Sequence, residues 1–174
     1  MPILPKFRRA RASDAAAIAG LLVRSWQQSY RQFLPAEYLS SLTVEGRLSL
    51  VESLIKQPQS ETWLVEDDGR LLGFVNTGRS RDPDVDRRTT AELRALYLEP
   101  DQVGSGLGAA LLLRAMESMV TQGFLEVMLW VLEDNQQGIA FWLRHGFKQD
   151  GCRREEQREG AELRQVRFRR PLSQ

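Results

Sequence analysis

The stretch Ala91 to Arg114, AELRALYLEPDQVGSGLGAALLLR, constrains this chain more than any other. Glu92 to Leu98 mixes charged and apolar residues in an extended pattern, and Pro100-Asp101 break it. Val103-Gly104-Ser105-Gly106-Leu107-Gly108 then makes a turn, and Ala109 to Met119 is dense in the helix formers Ala, Leu and Met. Strand, glycine turn and helix in this order aim several backbone N–H groups at one point, at the positive end of a helix. That is a site for a phosphate or pyrophosphate. A tight turn without a ligand is the alternative reading of the same glycines.

The position of the turn narrows the ligand. A dinucleotide fold sets its glycine turn after the first strand, with an acidic residue ending the second. Here the turn follows the fourth strand, and no GxxxxGK[ST] phosphate loop occurs anywhere.

The rest of the chain reads as one α/β domain. Phe7 to Ala10 is a short strand, and Ser13 or Asp14 is placed to cap a helix carrying Ile18, Leu21, Leu22 and Trp26 on one face. Helical pieces follow over Glu37 to Leu42 and Val44 to Ile55. Glu61 to Glu66 and Leu71 to Gly78 are strands joined by an Asp-Gly hairpin turn. After a charged excursion, Arg79 to Arg88, comes the strand Thr89 to Glu99, the glycine turn and its helix. Phe124 to Leu132 is a nearly continuous apolar strand, buried on both faces. A helix over Asn135 to Arg144 and strands Phe147 to Arg153 and Leu163 to Arg170 complete the order, with a turn from Arg154 to Ala161. The charged stretches 79–88 and 153–170 read as solvated hairpins. The domain is expected over 6–172, behind an N-terminal tail of residues 1–5.

Composition removes several classes. A formal net charge of +1 argues against a nucleic-acid partner. One cysteine, Cys152, and one histidine, His145, leave no set of ligands for a structural metal. No apolar run reaches the ~18 residues of a membrane span, and the proline-rich start is no signal peptide. A cytoplasmic protein without a membrane partner is expected.

Three segments together resemble the GNAT superfamily of acyl-CoA-dependent N-acetyltransferases, and the resemblance covers about Phe7 to Leu172. They are LYLEPDQVGSGLGAALL (96–112), EDNQQGIAFW (133–142) and Arg144-His145-Gly146-Phe147. The amino-terminal SWQQSYRQFLP is similar to a segment of small bacterial members. The resemblance implies a mixed, mostly antiparallel sheet of about seven strands flanked by helices, with the strand pair after strand four splayed apart. It implies acetyl-CoA as cosubstrate, with no metal, and direct transfer to a small-molecule or peptide amine. A homodimer is also in keeping with it. The alternative is a catalytically silent acyl-CoA-binding or regulatory module with the same fold.

Carried over by position, Leu96, Tyr97 and Leu98 offer backbone groups to the amide-bearing arm of the cofactor, and the Leu98 N–H polarises the thioester. Val103, Gly104, Ser105, Gly106, Leu107 and Gly108 hold the pyrophosphate. Asn135 hydrogen-bonds the arm, or serves only as a helix cap. Two positions depart from the family. Val103 stands where Gln or Arg is usual, and Trp142 replaces a Tyr that protonates the leaving thiolate. Indole cannot do that. Tyr30 is the candidate hydroxyl in its place, within an aromatic group of Trp26, Tyr30, Phe33 and Tyr38 that roofs the acceptor site. Glu92 is the candidate base, six residues before Leu98 and on its face if the strand is unbroken. An expected bulge would upset that count, and a solvated strand carboxylate is the other reading. Trp130 lines the acceptor pocket or the core. His145 reads as a turn residue, Cys152 as no nucleophile, and Glu99 as a flank of the loop.

Overall fold

The computed structural model describes residues 4–158 and 160–173. Of the expected N-terminal tail, residues 1–3 lie outside the described residues. The elements in chain order are β1 (Lys6–Arg9), α1 (Ala15–Ser29), α2 (Ala36–Ser41), α3 (Val44–Lys56), β2 (Glu61–Asp67), β3 (Arg70–Arg79) and β4 (Thr90–Leu98). They continue with α4 (Leu107–Thr121), β5 (Glu126–Leu132), α5 (Gln136–Arg144), β6 (Lys148–Arg158) and β7 (Ala161–Pro171). One sheet takes the seven strands in the order β1-β2-β3-β4-β5-β7-β6. Every neighbouring pair is antiparallel except β4 and β5, which run parallel. The α/β class, the seven strands and the splayed pair are as the sequence implies.

The two faces of the sheet carry separate cores. On one, Leu111, Leu112, Ala115 and Met119 of α4 pack on Val65, Val75, Leu93, Val127 and Leu129. On the other, Ile18, Leu21 and Leu22 of α1 and Val51 of α3 cover Leu64, Phe74 and Ala95. Burying one such side chain stabilises by about 1.5–3 kcal/mol. Tyr38 and Leu39 of α2, with Leu42 just after it, pack on Leu132 and Leu163, which holds the α1–α2 roof over the ends of β5 and β7.

Local chemistry explains most element ends. Asp68 (φ 47°) and Gly69 (φ 77°) make the tight β2–β3 turn that Asp-Gly favours. Thr43 caps α3, its Oγ1 accepting from the Gly46 N–H at 3.0 Å. Asp14 does not cap α1 as expected. Its carboxylate accepts from the Arg11 N–H at 2.7 Å and pairs with Arg8 at 2.8 Å, so the capped turn is the 3-10 turn at 12–14 just upstream.

Two expectations about the charged stretches are corrected. The β6–β7 strands run on to Arg158 and resume at Ala161, so the turn is far shorter than 154–161. Polar partners such as Arg154 and Gln165 face each other across this ladder and sustain it in water. The 79–88 excursion is not a free solvated hairpin. Arg167, only 3% exposed in its side chain, holds Asp82 at 2.8 Å, Asp84 at 2.6 Å and Asp150 at 2.6 Å. The charged loop is thereby pinned to β7 and β6. No helix among the described residues is long and apolar enough to cross a membrane.

Candidate active site

The parallel β4–β5 ladder lasts only three pairs, Thr90–Glu126, Ala91–Val127 and Glu92–Met128. Beyond it β4 continues to Leu98 beside β3, and β5 continues to Leu132 beside β7. The two strands diverge, and their facing edges, 93–98 and 129–132, line one cleft of about 430 Å³.

Hydrogen-bond parity decides what β4 offers to that cleft. The Glu99 N–H donates to the Leu72 carbonyl at 2.8 Å, and Leu98 stands opposite Gly73. In an antiparallel pair the bonded positions alternate. Tyr97 and Ala95 therefore bond to β3, whereas the N–H and C=O groups of Leu96 and Leu98 point into the gap. An extended amide chain can pair with such an edge as an added strand, and the Leu98 N–H is a donor set where a carbonyl would end. Gly73 lets β3 pack this closely on β4: a Cβ there would lie 2.5 Å from Leu98 Cδ2 and 3.0 Å from the Tyr97 carbonyl.

The glycine turn closes one end of the cleft. Gly104 (φ 83°) and Gly106 (φ 91°) take the left-handed conformation, and no side chain of theirs fills the space in front. Gly106 is the N-cap of α4 and gives its first turn no side-chain cap. The Leu107 N–H reaches Ser105 Oγ at 3.3 Å. Among the described residues, the N–H groups of Gly104, Gly106, Gly108 and Ala109 have no protein partner, and all four residues line the cleft. Unpaired donors at a helix N-terminus fit a doubly charged pyrophosphate. The free N–H groups and the strand edge, in one continuous cleft, thus fit the cosubstrate expected from the sequence. Val103 is half exposed at the rim, where only its backbone can serve. α4 begins at Leu107, two residues earlier than composition suggests, because Gly106 supplies the turn into it.

α5 forms the opposite wall. Asn135 is indeed its cap: Oδ1 accepts from the Gly138 N–H at 3.0 Å. The side chain also lines the cleft, and its Nδ2 has no protein partner among the described residues, so the cap and ligand roles are compatible. Trp142 is 8% exposed and packs edge-on against Phe147 at 5.2 Å, which makes it part of the core. His145 stays near the turn, its Nδ1 2.8 Å from the Phe141 carbonyl.

α1 roofs the other end. Trp26 and Tyr30 meet edge to face at 4.7 Å, and Phe33 covers Tyr30 at 5.2 Å. Tyr30 and Tyr97 line the cleft together. Burial, and then the neighbouring Tyr97, push the Tyr30 phenol well above its ordinary value, and burial likewise raises Tyr97. Both hydroxyls are donors at neutral pH. Glu99 does more than flank the loop. It is buried and takes a bidentate pair from Arg24, which ties α1 to the end of β4.

Glu92 lies apart from this constellation. It does not line the cleft, and its side chain is 3% exposed. The carboxylate accepts from Arg81 through Nη2 at 2.7 Å, Nε at 3.1 Å and the backbone N–H at 3.1 Å. Burial works to raise its pKa, but the Arg81 hydrogen bonds and charge prevail and hold it below the ordinary value. The geometry comes from a bulge. Asn76 pairs with Ala95 and Thr77 with Leu93, leaving Arg94 as an extra residue. Counting back from Leu98 is therefore off by one. Ala91 and Leu93 belong to the α4-side core with Leu96 and Leu98, so Glu92 points to the opposite face. The expected bulge thus upsets the count, and Glu92 and Leu98 do not share a face.

Several cleft residues escaped the sequence reading. Ser25, Ser29, Arg94, Gln137 and Gln165 line it. The period of α1 identified its buried face but not which polar residues look along the sheet edge. Nothing in the sequence marked Arg94 as the bulge.

Known proteins point the same way. Residues 19–147 match the model of the acetyltransferase (GNAT) family. An uncharacterized N-acetyltransferase of Bacillus subtilis, YuaI, is 30% identical over 137 residues, which is 77% of this chain and 75% of that protein. The spermidine N(1)-acetyltransferase of Thermoplasma acidophilum is 26% identical over 148 residues, 82% of this chain and 88% of that one. In fold, the PaiA N-acetyltransferase from Thermoplasma acidophilum, solved in complex with coenzyme A, superposes with a TM-score of 0.74 at 23% identity, covering 97% of this chain and 99% of that one. The chain belongs to the acetyltransferase (GNAT) family of acyl-CoA-dependent N-acetyltransferases.

Proposed function

We propose that this protein transfers the acetyl group of acetyl-CoA directly to a primary amine, in a small molecule or a peptide. The observation that carries the reading is one continuous cleft with two sets of unsatisfied backbone donors. The glycine turn supplies one set at a helix N-terminus, and the splayed edge of β4 supplies the other. In this reading Val103 to Gly108 cradle the pyrophosphate, Leu96 and Leu98 pair with the amide-bearing arm, and Asn135 Nδ2 adds a donor to it. The Leu98 N–H stabilises the oxyanion as the amine nitrogen attacks the thioester carbonyl. The C–S bond then breaks as the nitrogen gives up its second proton to water, and the thiolate takes a proton from the Tyr30 hydroxyl, which is re-protonated from water. Tyr97 beside it supports that hydroxyl.

Among the described residues, no Asp or Glu lines the cleft. The attacking amine therefore sheds its proton to water, and Glu92 serves as the anchor of Arg81 rather than as base. On this account kcat/KM rises tenfold per pH unit until the pKa of the free amine is reached. A CoA-release assay over a panel of primary amines tests the reading, and turnover of at least one amine is the expected result.

A second reading has an observation of its own. Trp142 is core packing where the family resemblance expects a tyrosine acid, which suits an acyl-CoA-binding module without chemistry. Tight acetyl-CoA binding with no transfer to any amine would favour it. The reading extends to a cytoplasmic enzyme without nucleic-acid or membrane partners. Light scattering in solution tests the homodimer that the family resemblance suggests.

A further inference from the structure

The acceptor end of the cleft has a distinctive charge balance. Trp26, Ser29 and Tyr30 form its roof, and Arg94, Trp130 and Gln165 its walls. Among the described residues, the carboxylates beside this end are already matched, Glu156 by Arg158. Glu92 is held by Arg81, and Asp82 by Arg167 and by the Trp130 Nε1–H at 3.0 Å. Two guanidinium groups here have no carboxylate within salt-bridge distance among the described residues. Arg94 donates only to neutral acceptors, Gln57 Oε1 at 2.8 Å and the Arg79 carbonyl at 2.9 Å, and its Nε is buried without a partner. Arg154 donates to Gln165 Oε1 at 2.6 Å and lies over the Trp130 ring, 4.4 Å from its centre. Both of its contacts line the cleft, so Arg154 stands at the mouth. Burial holds both arginines below the ordinary value, against the upward pull of Glu92 on Arg94 and of Asp82, Glu92 and Glu156 on Arg154.

This arrangement is poor for a polycation. Each ammonium group taken from water needs a carboxylate or an aromatic face. The carboxylates are used, one approach to Trp130 is taken by Arg154, and Tyr30 is enclosed by Trp26 and Phe33. An anion is in the reverse position, because it would give the exposed Arg154 guanidinium a charged partner.

We propose that the acceptor is a small amine carrying a carboxylate, an amino acid, whose carboxylate docks at Arg154 beside Trp130 and Gln165 while its amine faces the thioester. The inference rests on the transferase reading above and names the substrate class of the same site. Arg154 is a specificity residue on the exposed ladder and takes no part in the acetyl transfer itself.

The test measures turnover and, separately, calorimetric binding to the CoA-loaded protein. The probes are the standard amino acids, their carboxamides and spermidine, with wild type and Arg154→Gln. The best amino acid should exceed its own carboxamide and spermidine at least tenfold in kcat/KM. Arg154→Gln should raise the KM for that amino acid about tenfold and the KM for its carboxamide by a clearly smaller factor, and a melting temperature within a few degrees of wild type reports that the variant is folded. A preference for spermidine, or an equal loss on acid and amide, would overturn the proposal. If no amine is acetylated, the transferase reading fails and binding decides this one. Amino-acid binding that Arg154→Gln weakens tenfold sustains it, and absence of binding overturns it.

Discussion

Replacing Glu92 by Gln separates two accounts of the same carboxylate. Gln keeps the shape and one acceptor oxygen but removes the charge that Arg81 contacts three times. Hydrogen bonds to charged groups contribute about 1.5–3 kcal/mol each. The Arg81 side chain is 54% exposed, so water re-solvates the freed guanidinium. That puts the loss at the low end, about 1.5–2 kcal/mol. For a domain of this size each kcal/mol lowers Tm by roughly 2–4 °C, so thermal unfolding should fall by about 3–8 °C. The loss should also depend on pH. Glu92 has a folded-state pKa below its unfolded value, so its contribution is fully present above the ordinary value of 4.5 and disappears as pH falls through the folded one. The stability gap between wild type and variant should therefore close on acidification. kcat should stay within about threefold, since a lost general base would instead cost 10²–10⁴-fold. A hundredfold fall in kcat with unchanged Tm would refute this assignment and restore Glu92 as the base.

Three further substitutions address other parts of the site. Tyr30→Phe should lower kcat about 10²-fold with acetyl-CoA affinity unchanged, as read by steady-state kinetics and calorimetry; unaltered kcat would remove Tyr30 from the mechanism. Gly106→Ala forces a Cβ into a left-handed backbone, at about 1–2 kcal/mol, and should weaken acetyl-CoA binding at least tenfold, with the Tm lowered by only a few degrees. Arg167→Leu abandons Asp82, Asp84 and Asp150 together. Breaking a buried charge network costs roughly 3–5 kcal/mol, so denaturant unfolding should show a loss of that size, and a loss under about 1 kcal/mol would show the 79–88 loop to be held by other means.

The fold was largely legible because its signals are local. Asp67-Asp68-Gly69-Arg70 specified a hairpin, the 3.6-residue period of Ile18, Leu21 and Leu22 specified the buried side of α1, and the order of elements placed the glycine turn after β4. The phosphate end of the cleft was legible for the same reason, since Gly104 and Gly106 carry their own conformational signature. The chemistry at the other end depended on parity along β4. A bulge was expected there from the family resemblance, but no feature of ELRALYL places it at Arg94, where it reverses the facing of Glu92 relative to Leu98. Arg167 was hidden similarly. It sits between Val166 and Phe168 in a buried strand, and only the fold brings three aspartates from distant segments to it.

The central claim is that acetyl-CoA lies along the free edge of β4 and against the glycine turn. Amide hydrogen exchange resolved by residue tests it most directly. Without ligand, the Leu96 and Leu98 amides should exchange much faster than those of Ala95 and Tyr97, which bond to β3. Saturating acetyl-CoA should protect Leu96, Leu98, Gly104, Gly106, Gly108 and Ala109. Amides of Leu96 and Leu98 that are already protected in the free protein, or that keep exchanging freely while calorimetry records binding, would contradict the account.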